Sequence, residues 1–129
     1  LELIGEVIST ATNFNHHAID SVAAALAFAQ KIGFPDHALV AMLAPDQWDA
    51  HCVKGIRTEA DLIAIVTRLL QLQPTIHLET DMRAMHNPSR MAAIAEATQK
   101  LVHQATSLCP QCAVPGFRII DQKLGLPCA

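Results

Sequence analysis

Tyrosine is absent from this 129-residue chain, tryptophan occurs once, and aromatic residues make up only 4% of it. A core built here must therefore be filled by aliphatic packing, and Leu, Ile, Val and Ala supply it in a composition that is 51% hydrophobic. Positive charge is scarce too. Nine Lys and Arg stand against twelve Asp and Glu, a net charge of −3 with the seven His neutral. Without a broad basic field nucleic acid is not an expected partner, although a local basic pocket is compatible with the count. No apolar run reaches the roughly 18–20 residues of a membrane span. The first residues also lack a basic segment followed by an apolar one, so no membrane partner is expected and the predicted location is cytoplasmic. The chain does not start with Met, which predicts that it begins partway through a larger gene product. Gly-rich phosphate loops, a G-x-S-x-G elbow and H-E-x-x-H are all missing. At this length there is room for one domain with an adequate core, not two.

What is present reads as alternating elements. "LELIGEVIS" (1–9) has the Leu, Ile and Val of a strand, and "TNFNHH" (12–17) is polar and irregular. "DSVAAALAFAQKIG" (20–33) offers Asp20 or Ser21 as a cap, apolar residues at Val22, Leu26, Ala29 and Ile32, and Gly33 as a stop, which together predict a helix. "HALVAMLA" (37–44) and "HCVKGI" (51–56) read as strands joined by the turn residues of "APDQWD" (44–49), hence a hairpin. Thr58 with Asp61 makes an approximate capping box for a helix over 59–73, with Pro74 at its exit. "TIHLET" (75–80) is the next strand. Asn87 caps and Pro88 opens a third helix over 88–107, with Met91, Ile94, Leu101 and Ala105 along one face. The predicted fold is α/β: a single mixed sheet with helices packed on it, order β-α-β-β-α-β-α, followed by a truncated zinc-ribbon-like tail. The expected division is an α/β domain over 1–108, part of a larger unit, and an incomplete cysteine tail over 109–129.

The stretch "ETDMRAMHNPSRM" (79–91) gathers Glu79, Asp81, Arg83, His86, Asn87 and Arg90 in a chain that is only 16% charged. On this reading it is the loop at the carboxyl end of a strand leading into a helix N-terminus. Ligands of α/β folds bind at such places, because loop side chains converge there and the helix end offers backbone N–H groups. Arg83, Arg90 and Asn87 are the candidate anion-binding residues: a guanidinium can clamp a phosphate or carboxylate through two hydrogen bonds. A cation such as Arg90 in a first helical turn opposes the macrodipole unless an anion is present. Asp81 and Glu79 have the chemistry to hold Mg²⁺ or take a proton, and His86 can transfer one near neutral pH, so these three are the candidate catalytic residues. The plainer alternative is that Asp81 and Arg83 pair to pin the loop, Arg90 bonds a loop carbonyl, and Glu79 sits on a solvated face.

The tail holds a second constellation. Cys109 and Cys112 form C-x₂-C, and Cys128 follows after fifteen intervening residues, which matches three quarters of a zinc ribbon. Two thiolates three residues apart in a tight turn can take adjacent vertices of a tetrahedron around Zn²⁺. The pattern would place a fourth ligand at position 131, past Ala129, so zinc is expected in the longer protein, with Cys109, Cys112 and Cys128 as ligands. Free thiols, a local disulfide or a redox pair are the alternatives, the last lacking the helix that should follow a thioredoxin-like motif.

Other residues carry weaker signals. His16 and His17 read as a solvated loop or, alternatively, as pocket or metal ligands. His37, His51 and His77 read as hydrogen-bonded structural histidines, and Cys52 as a buried small hydrophobe. Trp48 in its turn either covers the sheet edge or meets a partner, while Lys54 and Arg57 flank a Gly and could add positive charge to a pocket.

"TDMRAMHNPSRM", "LCPQCAVPGF" and "GLPC", with "TATNFN" (10–15) and "HCVKGI", resemble across essentially the whole chain a bacterial family known only as a domain of unknown function. The resemblance implies an α/β segment before this one, a second C-x-x-C after "GLPC", and ribbon positions for Cys109, Cys112 and Cys128. It lends no activity. Two function classes follow. The first is an α/β domain binding a phosphorylated or anionic small molecule at 79–90, a nucleotide with Mg²⁺-dependent hydrolysis among the options. The second is a zinc-ribbon-bearing structural module that contacts protein or nucleic acid. A preceding segment of the same protein is a further expected partner. Apolar surface left where it would pack would favour a homodimer.

Overall fold

The computed structural model describes residues 2–119 and 125. They belong to two compact units, one formed by Ser9–Ala92 and the other by the flanking segments 1–8 and 93–129.

The 9–92 unit contains β1 (His16–Ile19), α1 (Val22–Ile32), β2 (Leu39–Met42), β3 (Val53–Ile56), α2 (Glu59–Leu70), β4 (Ile76–Thr80) and a 3₁₀ turn at Ala84–His86. The four strands form one sheet in the order β1-β4-β2-β3, and every pairing is antiparallel. That corrects the expectation of a mixed sheet. The chain brings β4 between β1 and β2 with its direction opposed to both, so no parallel neighbour arises.

The caps explain the helix boundaries. Ser21 accepts a hydrogen bond from the Ala24 N–H, and Gly33 closes α1 in the left-handed region at φ 80°, donating its N–H to the Ala29 and Gln30 carbonyls. Thr58 accepts from the Asp61 N–H and donates its hydroxyl to the Asp61 carboxylate at 2.6 Å, holding the first turn of α2.

The core lies on one face of the sheet. Ile19 of β1, Leu39 and Ala41 of β2, Ile56 of β3, and Ile76 and Leu78 of β4 pack against Ala25, Phe28, Ala29 and Ile32 of α1 and Leu62, Val66 and Leu69 of α2. Each large aliphatic group buried there stabilises by about 1.5–3 kcal/mol. Alternation along the strands sends His16, Val40, Lys54, His77 and Glu79 to the opposite face.

One irregularity sets that face. Leu39 pairs with Ile56, but Val40 pairs with Lys54, so Gly55 is the unmatched residue of a β-bulge. It has φ +73°, the left-handed conformation of the bulge type that uses glycine. Two residues apart on a regular strand share a face. The bulge breaks that rule, leaving Ile56 in the core at 3% exposure while Lys54 joins Val40 on the other side.

The strand expected over 1–9 is not formed. Leu3, Gly5 and Val7 are partly covered while Glu2, Ile4, Glu6 and Ile8 are exposed, the alternation of an extended chain. Its carbonyls, however, meet side chains and not another strand. Lys100 donates to the Glu6 carbonyl at 3.3 Å and Gln104 to that of Ile4 at 2.9 Å, both from α3 (Pro88–Thr106). The first strand lies instead within and just beyond the polar "NHH" segment, where only Ile19 is buried.

The apolar stripe expected on the third helix is not buried. No residue of α3 is buried, and Met91, Ile94 and Leu101 are 47%, 42% and 37% exposed.

In the tail, Leu108 and Pro115 form an isolated antiparallel bridge, and the Gly116 and Phe117 N–H groups both reach the Ser107 carbonyl. Cys109 and Cys112 sit in the turn this closes. The third candidate ligand, Cys128, lies outside the described residues. Among the described residues no three His, Cys, Asp or Glu side chains are placed to share a metal ion. No helix among them is long and apolar enough to cross a membrane.

Candidate anion-binding cleft

Asp81 follows directly on β4, and its backbone N–H reaches the Ala38 carbonyl at 2.8 Å. This extends the β4 pairing by one residue and drives the carboxylate inward, to 1% exposure. Both oxygens are then engaged. Oδ1 accepts from the Arg83 backbone N–H and from Arg83 Nε, each at 3.0 Å; Oδ2 accepts from Arg83 Nη2 at 2.6 Å and from the Gly55 N–H at 3.0 Å. Burial raises the Asp81 pKa, but the hydrogen bonds from the Arg83 side chain and backbone outweigh it and hold the carboxyl below its ordinary value. Arg83 is correspondingly shifted up by its bonds to Asp81.

Asp81 is thus a carboxylate that fixes its neighbours. Arg83, with its side chain 46% exposed, is the group it aims outward. Nη1 takes no part in the pairing, so one edge of a guanidinium held in place is left outside it.

Arg83 borders an open cleft of about 340 Å³ with Val40, Lys54 and Glu79 from the sheet face, Asp81, Met82 and Ala84 from the loop, Trp48 and Arg90. Lys54 owes its place there to the Gly55 bulge. Its ammonium lies 4.4 Å from the centre of the Trp48 ring and makes no ion pair among the described residues. Arg90 donates from Nη1 to the Met82 carbonyl at 2.9 Å. Glu79 is held by its Oε2, 3.5 Å from Nε2 of the buried His77, whose ring lies 5.5 Å from that of His16. Three cations and two acids therefore line the cleft, and one of the acids is already neutralised by Arg83.

The remaining residues of the 79–91 stretch build the frame. Asn87 is fully buried, and its side chain accepts from the Arg90 N–H at 3.0 Å and donates to the Thr12 carbonyl at 3.4 Å, so it caps α3 and does not line the cleft. Pro88 has no N–H, and the Met91 N–H reaches the Asn87 carbonyl, so the helix end has few donors left for an anion. The His86 carbonyl accepts from the Ala38 N–H, which ties the 3₁₀ turn to the strand edge. His86 Nε2 would lie 3.2 Å from a Cβ at Gly55 and Arg83 Nη2 3.0 Å from it, so these two side chains pack on the space that glycine leaves.

Other singled-out residues stand elsewhere. Arg57 lines a separate recess with Asp36, His37 and Met85, and His16 and His17 line another with Phe28 and Lys31. His37 and His51 each bury Nδ1 without a hydrogen-bond partner among the described residues, as does His86. Cys52 is half-buried, and burial raises its thiol pKa. Trp48 and Lys54, read from sequence as an edge cover or partner contact and as a source of pocket charge, both line the cleft, while Gly55 has no role in that reading. An isolated Gly within a strand pattern is the usual mark of a bulge, and it was the available signal.

These features define an α/β unit with two helices on one face of an antiparallel sheet and a mixed-charge cleft on the other. The chain belongs to the family described as Domain of unknown function (DUF6671), whose model matches residues 1–129. No curated protein and no solved structure matches it.

Proposed function

We propose that the chain binds a small phosphorylated or otherwise anionic molecule in this cleft. The observation that carries the reading is the aimed guanidinium: a buried, doubly engaged Asp81 holds Arg83 with one edge free beside Lys54 and Arg90. Glu79 is the cleft carboxylate with an oxygen to spare, and Mg²⁺-dependent hydrolysis would use it, with Asp81 as its support. His86 stands beside Gly55, its Nε2 near the space that the missing Cβ leaves.

A thermal-shift titration with pyrophosphate, sugar phosphates and nucleotides, each with and without Mg²⁺, tests this. A ligand at a hundred times its dissociation constant adds about 2.7 kcal/mol to the folded state. The shift should weaken in Lys54→Met and in Arg83→Gln. Lys54→Met leaves the Asp81 contacts intact, so a shift of unchanged size in that variant, or none in the parent, sinks the reading.

The tail supports a second reading, a zinc-binding module that contacts another macromolecule. The Cys109 thiol accepts hydrogen bonds from the Cys112 and Gln111 backbone N–H groups and from the Cys112 side chain, which lower its pKa. Ala113 takes φ 55°, and its N–H returns to the Cys109 carbonyl at 2.9 Å. Such a turn favours a thiolate and presents both sulfurs on one side, as a tetrahedral metal needs. Reduced protein loaded with Co²⁺ should show thiolate charge-transfer absorption that Cys112→Ser removes. Absence of that band would leave the cysteines as plain thiols.

A further inference from the structure

Trp48 is the only tryptophan in a chain without tyrosine, and it stands on the loop between β2 and β3, 55% exposed. A large aromatic placed in water and lining a cleft is not explained by core packing. Beside it stands a cation: Lys54 Nζ lies over the ring, within cation–π range. The same cleft holds Glu79, which an inorganic anion alone would not favour, since like charges repel. A sugar hydroxyl would, because a carboxylate accepts hydrogen bonds. The cleft's 340 Å³ lies near the lower end of the roughly 300–1,000 Å³ of small-molecule sites. That suits one ring, one sugar and a phosphate.

From these four observations we infer that the ligand is a mononucleotide. Its base stacks on the exposed part of the Trp48 ring, its phosphate meets Arg83 and Lys54, and Glu79 accepts from its ribose hydroxyls. The inference rests on the anion-binding reading above and adds the ring and the sugar to it. Stacking on an indole is tolerant of base identity, so the geometry assigns the class and no particular base.

The test compares AMP, UMP, ribose 5-phosphate and pyrophosphate on the full chain by calorimetry, with tryptophan emission as a second readout. Because Trp48 is alone, every change in that emission reports this loop. Both nucleotides should quench it and bind about 5- to 100-fold more tightly than ribose 5-phosphate, the ratio a single base–aromatic stack supplies. Trp48→Leu, a surface substitution whose folding is checked by its melting curve, should erase that ratio while ribose 5-phosphate still binds. Trp48→Phe should restore part of it. Equal affinity for nucleotides and ribose 5-phosphate would overturn the stacked base and leave the anion site standing. Binding of pyrophosphate alone would overturn the mononucleotide in the same way. If none of the four binds, the anion-binding reading falls as well.

Discussion

Gly55 and Asp81, 26 residues apart in the chain, are joined by a 3.0 Å hydrogen bond from the Gly55 N–H to Asp81 Oδ2. The bulge in β3 turns that N–H out of the ladder, and the carboxylate after β4 receives it. One contact thus fixes the rim of the cleft to its floor.

Asp81→Asn should test how much that contact stabilises. The amide cannot accept on both sides, so the Gly55 N–H or part of the Arg83 fork loses its partner. An unsatisfied buried group costs about 1–3 kcal/mol. Arg83 is half exposed and recovers water, which keeps the loss within that range. Chemical denaturation should show a lower midpoint with an unchanged slope, and any anion binding should weaken in parallel.

Gly55→Ala attacks the same junction from the backbone. A left-handed conformation costs a residue with a Cβ about 1–2 kcal/mol, and that Cβ would lie 3.0 Å from Arg83 Nη2. The expected result is a destabilised protein in which Arg83 is displaced. Ligand affinity should then fall further in Gly55→Ala than in a variant of equal stability loss made in the core, such as Ile32→Val.

Acid should weaken the fold through Asp81. Its folded pKa is depressed, so its contribution is complete above the unfolded value of about 3.9 and is lost as pH falls through the lower folded value. Melting temperature against pH should decline below about pH 4, and the Asp81→Asn profile should be flatter there. Equal slopes for the two proteins would remove Asp81 from the acid response.

Burial separates two apolar helices. Leu62→Ala in α2, at 0% exposure, should cost about 2–5 kcal/mol. Ile94→Gln in α3, at 42% exposure, should stay within about 0.5 kcal/mol. Urea unfolding of both variants checks the contrast, and a large loss in Ile94→Gln would mean that α3 is held by contacts its exposure does not reveal.

The helices were legible in the sequence because their ends are chemical: Ser21, Gly33, Thr58 and Asn87 each make the cap their type suggests. The hairpin between β2 and β3 and the strand before Asp81 were legible from apolar runs bounded by turn residues. β1 was not. It lies at the sheet edge with its helix-free face in water, so only Ile19 needs to be apolar, and "LELIGEVIS" offered a stronger strand pattern that had no ladder to join. At the site, Asp81 and Arg83 stood out by clustering, and both the pinning alternative and the exposed guanidinium are present in one pair. Lys54 and Trp48 were not tied to that cluster, because what makes them neighbours of Arg83 is the pairing of β3 and β4 on either side of β2.

The bulge makes position 55 sensitive to length as well as to size. Deleting Gly55 would close the bulge into a regular ladder, with Lys54 still opposite Val40 and Ile56 still opposite Leu39. What would be lost is the N–H from which Asp81 Oδ2 accepts, and with it the tie between the rim of the cleft and its floor. An added residue elsewhere in β3 would shift its phase, whereas the 43–52 connection has no phase to keep, so changes of length there should be absorbed. In this fold an insertion map would therefore show a hard limit inside a strand only four residues long, beside a loop that yields.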